Sequence, residues 1–170
     1  METGYTSGND NKYFKCRKAA VTYNEKLESR EGAAEMLGMS PSTLAHYELN
    51  ITKVVPPDAV TLMADLYRAP ELKASYCAND CPIGKGEPLA TGLCNMEIAA
   101  LKIVKAFCCE NVEDIAYKLV DIVGKGHIAS EDLPDLAQML VQLNNIAKIV
   151  SEVRLACQKV LAEGATDNDS

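Results

Sequence analysis

A chain of 170 residues with 48% hydrophobic and 24% charged residues has room for one sizeable domain or two small ones, and it is neither disordered nor fibrous in composition. Its net charge of -7 excludes a protein that coats nucleic acid by bulk electrostatics, so any claim of DNA binding depends on where the charges lie. Residues 1–70 are nearly balanced, with eight basic and nine acidic side chains, and the acid excess falls in the remainder.

Aromatic residues make up only 5% and Trp is absent, while strict two-residue alternation is almost missing; the pattern predicts an all-α fold packed by aliphatic side chains. The first ten residues, METGYTSGND, predict a loose start with neither a basic leader nor an apolar core. A helix is predicted over 11–23, with Tyr13, Phe14, Cys16, Ala20 and Val21 as its apolar set. On it Arg17 and Lys18 either meet phosphate or form a solvated basic face. A connection over 24–28 leads to the stretch SREGAAEMLGMSPSTLAHYELN, residues 29–50.

That stretch holds two short amphipathic segments separated by a glycine. Ser29 is placed to cap the first, with Arg30 in its opening turn, where unpaired backbone N–H groups also favour an anion. Ala33, Ala34 and Leu37 line its apolar side and Gly38 suits a left-handed stop. Ser40 followed by Pro41 is a strong start for the second segment, and Leu44 and Tyr47 form its inner side. The β-branched run at 51–55 ends in Pro56 and Pro57 and predicts a loop. A helix follows over 59–68, and a short one over 71–76.

Ser29, Ala34, Gly38, Ser40, Leu44 and Glu48, followed by a proline-led helix with Val60, Leu62, Met63, Ala64 and Tyr67, resemble the Cro/C1-type (Xre) helix-turn-helix family of bacterial and phage transcriptional regulators. The resemblance implies a five-helix, lambda-repressor-like DNA-binding domain over about 11–76. It implies base contacts from the start of the second segment and one turn on, at Pro41, Ser42, Ala45 and His46, with Ser40 at its cap. Arg30, Thr43, Asn50 and Lys53 match phosphate-contacting positions, which set register without reading sequence. The base-facing set is chemically thin, since none of its members makes the bidentate contact of Arg to guanine or Gln to adenine.

Residues 77–95 form a cysteine-containing junction. Cys77 and Cys81 stand four apart before Pro82 and two glycines, and Cys94 is a third thiol, so this segment is either half of a metal or iron-sulfur site, a redox pair, or a set of structural thiols. Structural thiols are the favoured reading, and no cofactor is expected: two-residue spacings are commoner in metal sites and no His lies close. The C-terminal region, 96–163, predicts a helical hairpin or three-helix bundle. The helix over 87–110 carries Ile98, Leu101, Val104 and Cys108 on one apolar stripe; Asn111 caps a second, with Ile115, Leu119 and Ile122 inward. The turn GKGHIASEDL lacks the aspartates that calcium needs. Over 130–162, Leu136, Met139, Leu143, Ile146, Val150, Val153, Cys157 and Val160 alternate three and four apart as a heptad seam, which either closes an internal bundle or joins two chains. A polar tail, 164–170, ends the sequence.

No nucleophile-and-base set, paired carboxylates or phosphate loop appears, and only two histidines are present, so no enzyme is expected. Seven cysteines, an odd number, with no apolar run near the roughly 18 residues of a membrane span, fit a reducing cytoplasm. The expectation is a homodimeric regulator that binds double-stranded DNA and pairs through its last helix. Two rivals keep the same head: a protein-interaction module, and a thiol- or metal-responsive regulator acting through Cys77 and Cys81.

Overall fold

The structure is a computed structural model that describes residues 11–90, 92–109 and 112–164. Among these residues it is all-helical, with eight α-helices and no strand, and no helix is long and apolar enough to cross a membrane. The stretches 1–10 and 165–170, and the proposed cap Asn111, lie outside the described residues.

Local chemistry accounts for most helix ends in the first half. Asn11 caps α1 (Lys12–Ala20) by accepting from the N–H groups of Tyr13 and Phe14. The helix stops at Ala20, short of the predicted Tyr23, because the Ala20 carbonyl takes up the N–H groups of Tyr23 and Asn24 in a turn and Asn24 starts a 3-10 turn over Glu25–Glu28. Ser29 caps α2 (Arg30–Leu37), accepting from the Gly32 N–H at 3.0 Å. Gly38 then adopts a left-handed φ of 66°, and the Met39 N–H reaches back to the Ala34 carbonyl at 3.0 Å, closing the helix in a Schellman motif. Ser40 caps α3 (Pro41–Glu48) through the Thr43 N–H, with Pro41 in the first position where no donor is lost. Prolines also open α4 (Pro57–Leu66) and α5 (Pro70–Asn79), the latter running one turn past its predicted end.

Sixteen buried apolar residues from these five helices and their connections make one interior, centred on Leu27, Leu44, Val60, Met63, Tyr67 and Leu72. The fully buried Ala33 and Ala34 bring α2 close to α3. Beyond α5 the chain folds back: the Cys81 N–H donates to the Tyr76 carbonyl, Lys85 N–H to Cys81, and Gly84 lies so near α5 that a Cβ there would meet the Cys77 carbonyl oxygen at 2.2 Å.

The second half is built on two long helices, α6 (Met96–Cys109) and α8 (Leu133–Gly164), which pack on each other, with α7 (Val112–Gly124) against the early part of α8. Three expectations are corrected here. Residues 87–90 and 92–95 are not helical, because Pro88 and Gly92 interrupt the run and Asn95 supplies the cap for α6 by accepting from the Ile98 N–H. The stripe Ile98, Leu101, Val104 and Cys108 faces outward, Leu101 being 72% exposed. The inner face belongs to Ala99 and Ala106, fully buried with Ile103 half-buried between them; these small side chains let α6 approach α8 closely. On α7, Ile115 and Ile122 are buried but Leu119 is exposed.

The heptad seam of α8 divides. Met139 is buried against Ile115 and Ile122, Leu136, Ile146, Val153 and Cys157 are half-buried, and Leu143, Val150 and Val160 are exposed. The last turns of α8 return to the first half of the molecule: Lys159 Nζ donates to the Arg68 carbonyl at 2.9 Å and stands 3.6 Å from Glu71, and the Ala90 N–H donates to Ser151 Oγ at 3.0 Å.

Candidate nucleic-acid interface

The candidate surface is the outer side of α3 with the start of α2. Leu44, Tyr47 and Glu48, at spacings of three and four, are all buried and fix which side of α3 looks out. Ser40, Pro41, Ser42 and His46 are exposed, and Thr43 and Ala45 are half-exposed. Ser40 Oγ and Thr43 Oγ1 are 2.8 Å apart, so part of their hydrogen-bonding capacity is spent on the cap. Asn50 takes a left-handed φ of 56° just past α3, where the Ile51 N–H donates to the His46 carbonyl at 2.9 Å; its Oδ1 accepts from Asn11 Nδ2 at 2.6 Å. Lys53 is exposed in the loop that follows.

Orientation of this ridge depends on a buried ion cluster. Glu48, fully buried, accepts from Arg17 Nε at 2.5 Å and Nη2 at 3.0 Å, and from Arg30 Nε at 2.7 Å. Arg17 also donates to the carbonyls of Leu27 and Glu28. One carboxylate therefore joins α1, the 3-10 turn, α2 and α3. Burial works against the charge on Arg17, yet the Glu48 carboxylate holds its guanidinium above the ordinary range. The reading of Arg17 as a phosphate contact or solvated cation is overturned, since it is only 2% exposed and its donors are committed inside. Lys18 pairs with Glu28. Arg30 keeps about a third of its side chain exposed, so it both holds Glu48 and reaches the rim of the ridge.

The sequence carried a signal for this cluster that periodicity alone did not use. Arg17 lies in register with Tyr13 and Ala20, and Glu48 with Leu44, so each is a charge on an apolar face and each calls for the other.

Among the matched positions the two cations are Arg30, at the start of α2, and Lys53, in the loop after α3, while the exposed side of α3 itself is mostly neutral. Four apolar side chains close to it in sequence, Met36, Leu49, Ile51 and Val54, are also exposed. In the junction Cys77 is exposed, and Cys81 and Cys94 are partly so. Among the described residues no group of three or more His, Cys, Asp or Glu is arranged to hold a metal ion. No protein-family model, curated protein or solved structure matches this chain.

Proposed function

We propose that this chain is a sequence-specific, double-stranded DNA-binding transcriptional regulator of the Cro/C1 (Xre) type, acting in the cytoplasm as a homodimer and without catalysis. The observation that carries the reading is α3. It is capped, proline-led, locked in orientation by the Arg17–Glu48–Arg30 cluster, and leaves Ser42 and His46 exposed, as Lys53 is in the loop that follows. A short helix held this firmly with its first turns exposed has the form that enters a major groove. In this reading Pro41, Ser42, Ala45 and His46 approach bases with Ser40 capping the helix that carries them, while Arg30, Thr43, Asn50 and Lys53 meet phosphate. A single head of this size reads few base pairs, so two are needed for useful affinity against genomic competition. The exposed Leu140, Leu143 and Val150 run along α8 at heptad-like spacing and offer the pairing surface.

Fluorescence anisotropy with a random-sequence duplex at two salt concentrations tests the DNA reading. Binding should weaken with salt; Arg30→Ala and Lys53→Ala should lower affinity for all sequences and flatten the salt slope, whereas Ser42→Ala and His46→Ala should change sequence preference. If none of the four alters affinity, the site is elsewhere. For the pairing surface, Leu143→Glu with Val150→Glu should give a folded monomer by light scattering; a parent chain that is already monomeric at tens of micromolar would refute it.

A second reading, a protein-interaction module built on the same helices, is favoured by the exposed Met36, Leu49, Ile51 and Val54 and by the overall acidity. It gains if the parent chain shows no salt-dependent DNA binding.

A further inference from the structure

The buried row of α7, Ile115 and Ile122, meets Met139 of α8, with Leu136 and Ile146 packed beside it, and Lys125 Nζ reaches Asp132 at 2.7 Å across the turn between the helices. The two helices form a hairpin. Helical spacing leaves a flank on either side of that row. On α7 one flank carries Asp114, Lys118, Asp121 and Lys125, four, three and four apart. The other carries Val112, Leu119 and Val123, with Ala116 completing the same spacing. On α8 Asp135 lies on one flank, and Leu140, Leu143 and Val150, with Ala147 among them, lie on the other.

A cavity of about 300 Å³ shows which flanks coincide. Lys118, Asp121 and Lys125 of α7 line it together with Asp132 and Asp135 at the entry to α8. The charged flanks therefore share one side of the hairpin, and the apolar flanks share the opposite side. There Val112, Leu119 and Val123 are 36, 46 and 66% exposed, and Leu140, Leu143 and Val150 are 59, 48 and 43% exposed. Neither stripe includes a charged residue.

A seam on one helix is closed by one partner helix, but a face two helices wide needs two. That is the form of half a four-helix bundle. Six aliphatic side chains at these exposures offer apolar area on the order of 500 Å² per copy, close to the apolar share of a standard interface of roughly 800 Å² per partner. With no charge in either stripe, nothing there selects a foreign partner. A second copy turned about a two-fold axis supplies two stripes of the same length and the same character.

We propose that the α7–α8 hairpin is half of a four-helix bundle completed by a second copy of this chain, α7 contributing to the interface alongside α8. This rests on the dimer reading above and deepens it, since a coiled coil of α8 alone would leave α7 outside. The charged side, with Lys118, Asp121 and Asp135, stays in water.

Light scattering over a range of concentrations, with circular dichroism as the check on folding, tests α7 separately from α8. Leu119→Glu with Val123→Glu, both outside the buried row of α7, should keep the parent's helicity and raise the dimer dissociation constant roughly a hundredfold or more. Leu119→Ser with Val123→Ser, a milder change, should raise it by about tenfold or more. Lys118→Glu, on the charged side, should leave it within about twofold. In the parent chain, hydrogen exchange measured on dilution through dissociation should show amides of α7 and α8 losing protection together. A parent chain that is monomeric at tens of micromolar overturns the dimer reading and this proposal with it. A parent dimer whose dissociation constant survives both α7 pairs of substitutions, or whose α8 amides alone respond to dilution, overturns this proposal and leaves pairing through α8 standing.

Discussion

The first half of the molecule owns its interior, and the second half owns only part of one. From Tyr13 to Leu72 sixteen buried apolar residues close on each other, whereas α7 and α8 together bury a cluster of three, Ile115, Ile122 and Met139. Of the twenty-six large apolar side chains exposed among the described residues, nineteen lie between Leu93 and Leu161. Composition does not account for the contrast, since both halves are rich in aliphatic residues. The difference is in layering. The first half wraps short helices around a centre; the second spreads three helices in an open arrangement that leaves one side of α6 and much of α7 bare. An apolar surface of that kind is the sort that a partner chain covers.

The sharpest break in the comparison is at Glu48. Glu48→Ala leaves Arg17 charged, buried and without its partner, and should destabilise the first half by about 3 to 5 kcal/mol in urea unfolding, enough to unfold it at moderate temperature. Met63→Ala and Met139→Ala compare the two interiors directly. The first empties a closed core and should cost ~2–5 kcal/mol, while the second, at the edge of an open one, should cost no more than about 2 kcal/mol. Equal costs would mean that the second core is completed in solution, and concentration-dependent unfolding would then identify the neighbour as a second copy.

A smaller effect concerns thiols. Burial and the nearby Glu71 carboxylate push the Cys16 thiol up to about 12, so at mildly alkaline pH it remains protonated. Iodoacetamide followed by peptide mapping should find Cys77 and Cys108, both exposed, modified well before Cys16. The smallest effect is at the entry to α8. The Lys125 ammonium and the Ala129 N–H hold the Asp132 carboxyl below the usual carboxylate range. A depressed native pKa means that this contribution is present above the unfolded-state value and is lost as pH falls through the native one, below about pH 4. Asp132→Asn should lower stability near neutrality, make the acid transition followed by circular dichroism less steep, and leave stability little changed at the lowest pH, where the carboxyl of the parent chain is already protonated.

Sequence reading succeeded where structure is written in neighbouring residues. The cap at Ser29, the left-handed stop at Gly38, the Ser40–Pro41 start and the inward Leu44 and Tyr47 all follow from rules that span four or five positions, and the structure has each of them. It failed where the answer depends on distant partners. Arg17 is surface-like by type, and only Glu48, thirty-one residues away, makes its burial tolerable. On α6 two stripes share the helical period; the larger side chains were read as the inner ones, but close packing against α8 selects the alanines. The outer surface of α3 was legible as a ridge, because its inner side was, whereas the apolar side shared by α7 and α8 depends on how the two helices meet and has no local signature.

The fold-back of the chain onto α5 at Gly84 bears on where this protein divides. Lys12 at the start of α1 bonds Ser75 and Asp80 at the end of α5, and the turn through Gly84 lies against Cys77 of α5 with no space for even a methyl group. The stretch after Tyr76 is thus part of the first unit's outer wall, and a fragment trimmed at 76 would lose the ion pair and the turn that hold its last helix in place. The natural cut lies beyond Gly86. Only a few residues then remain before Ala90 fastens to Ser151 of α8, so the two halves are joined by a short strap with little slack, and turning one half turns the other.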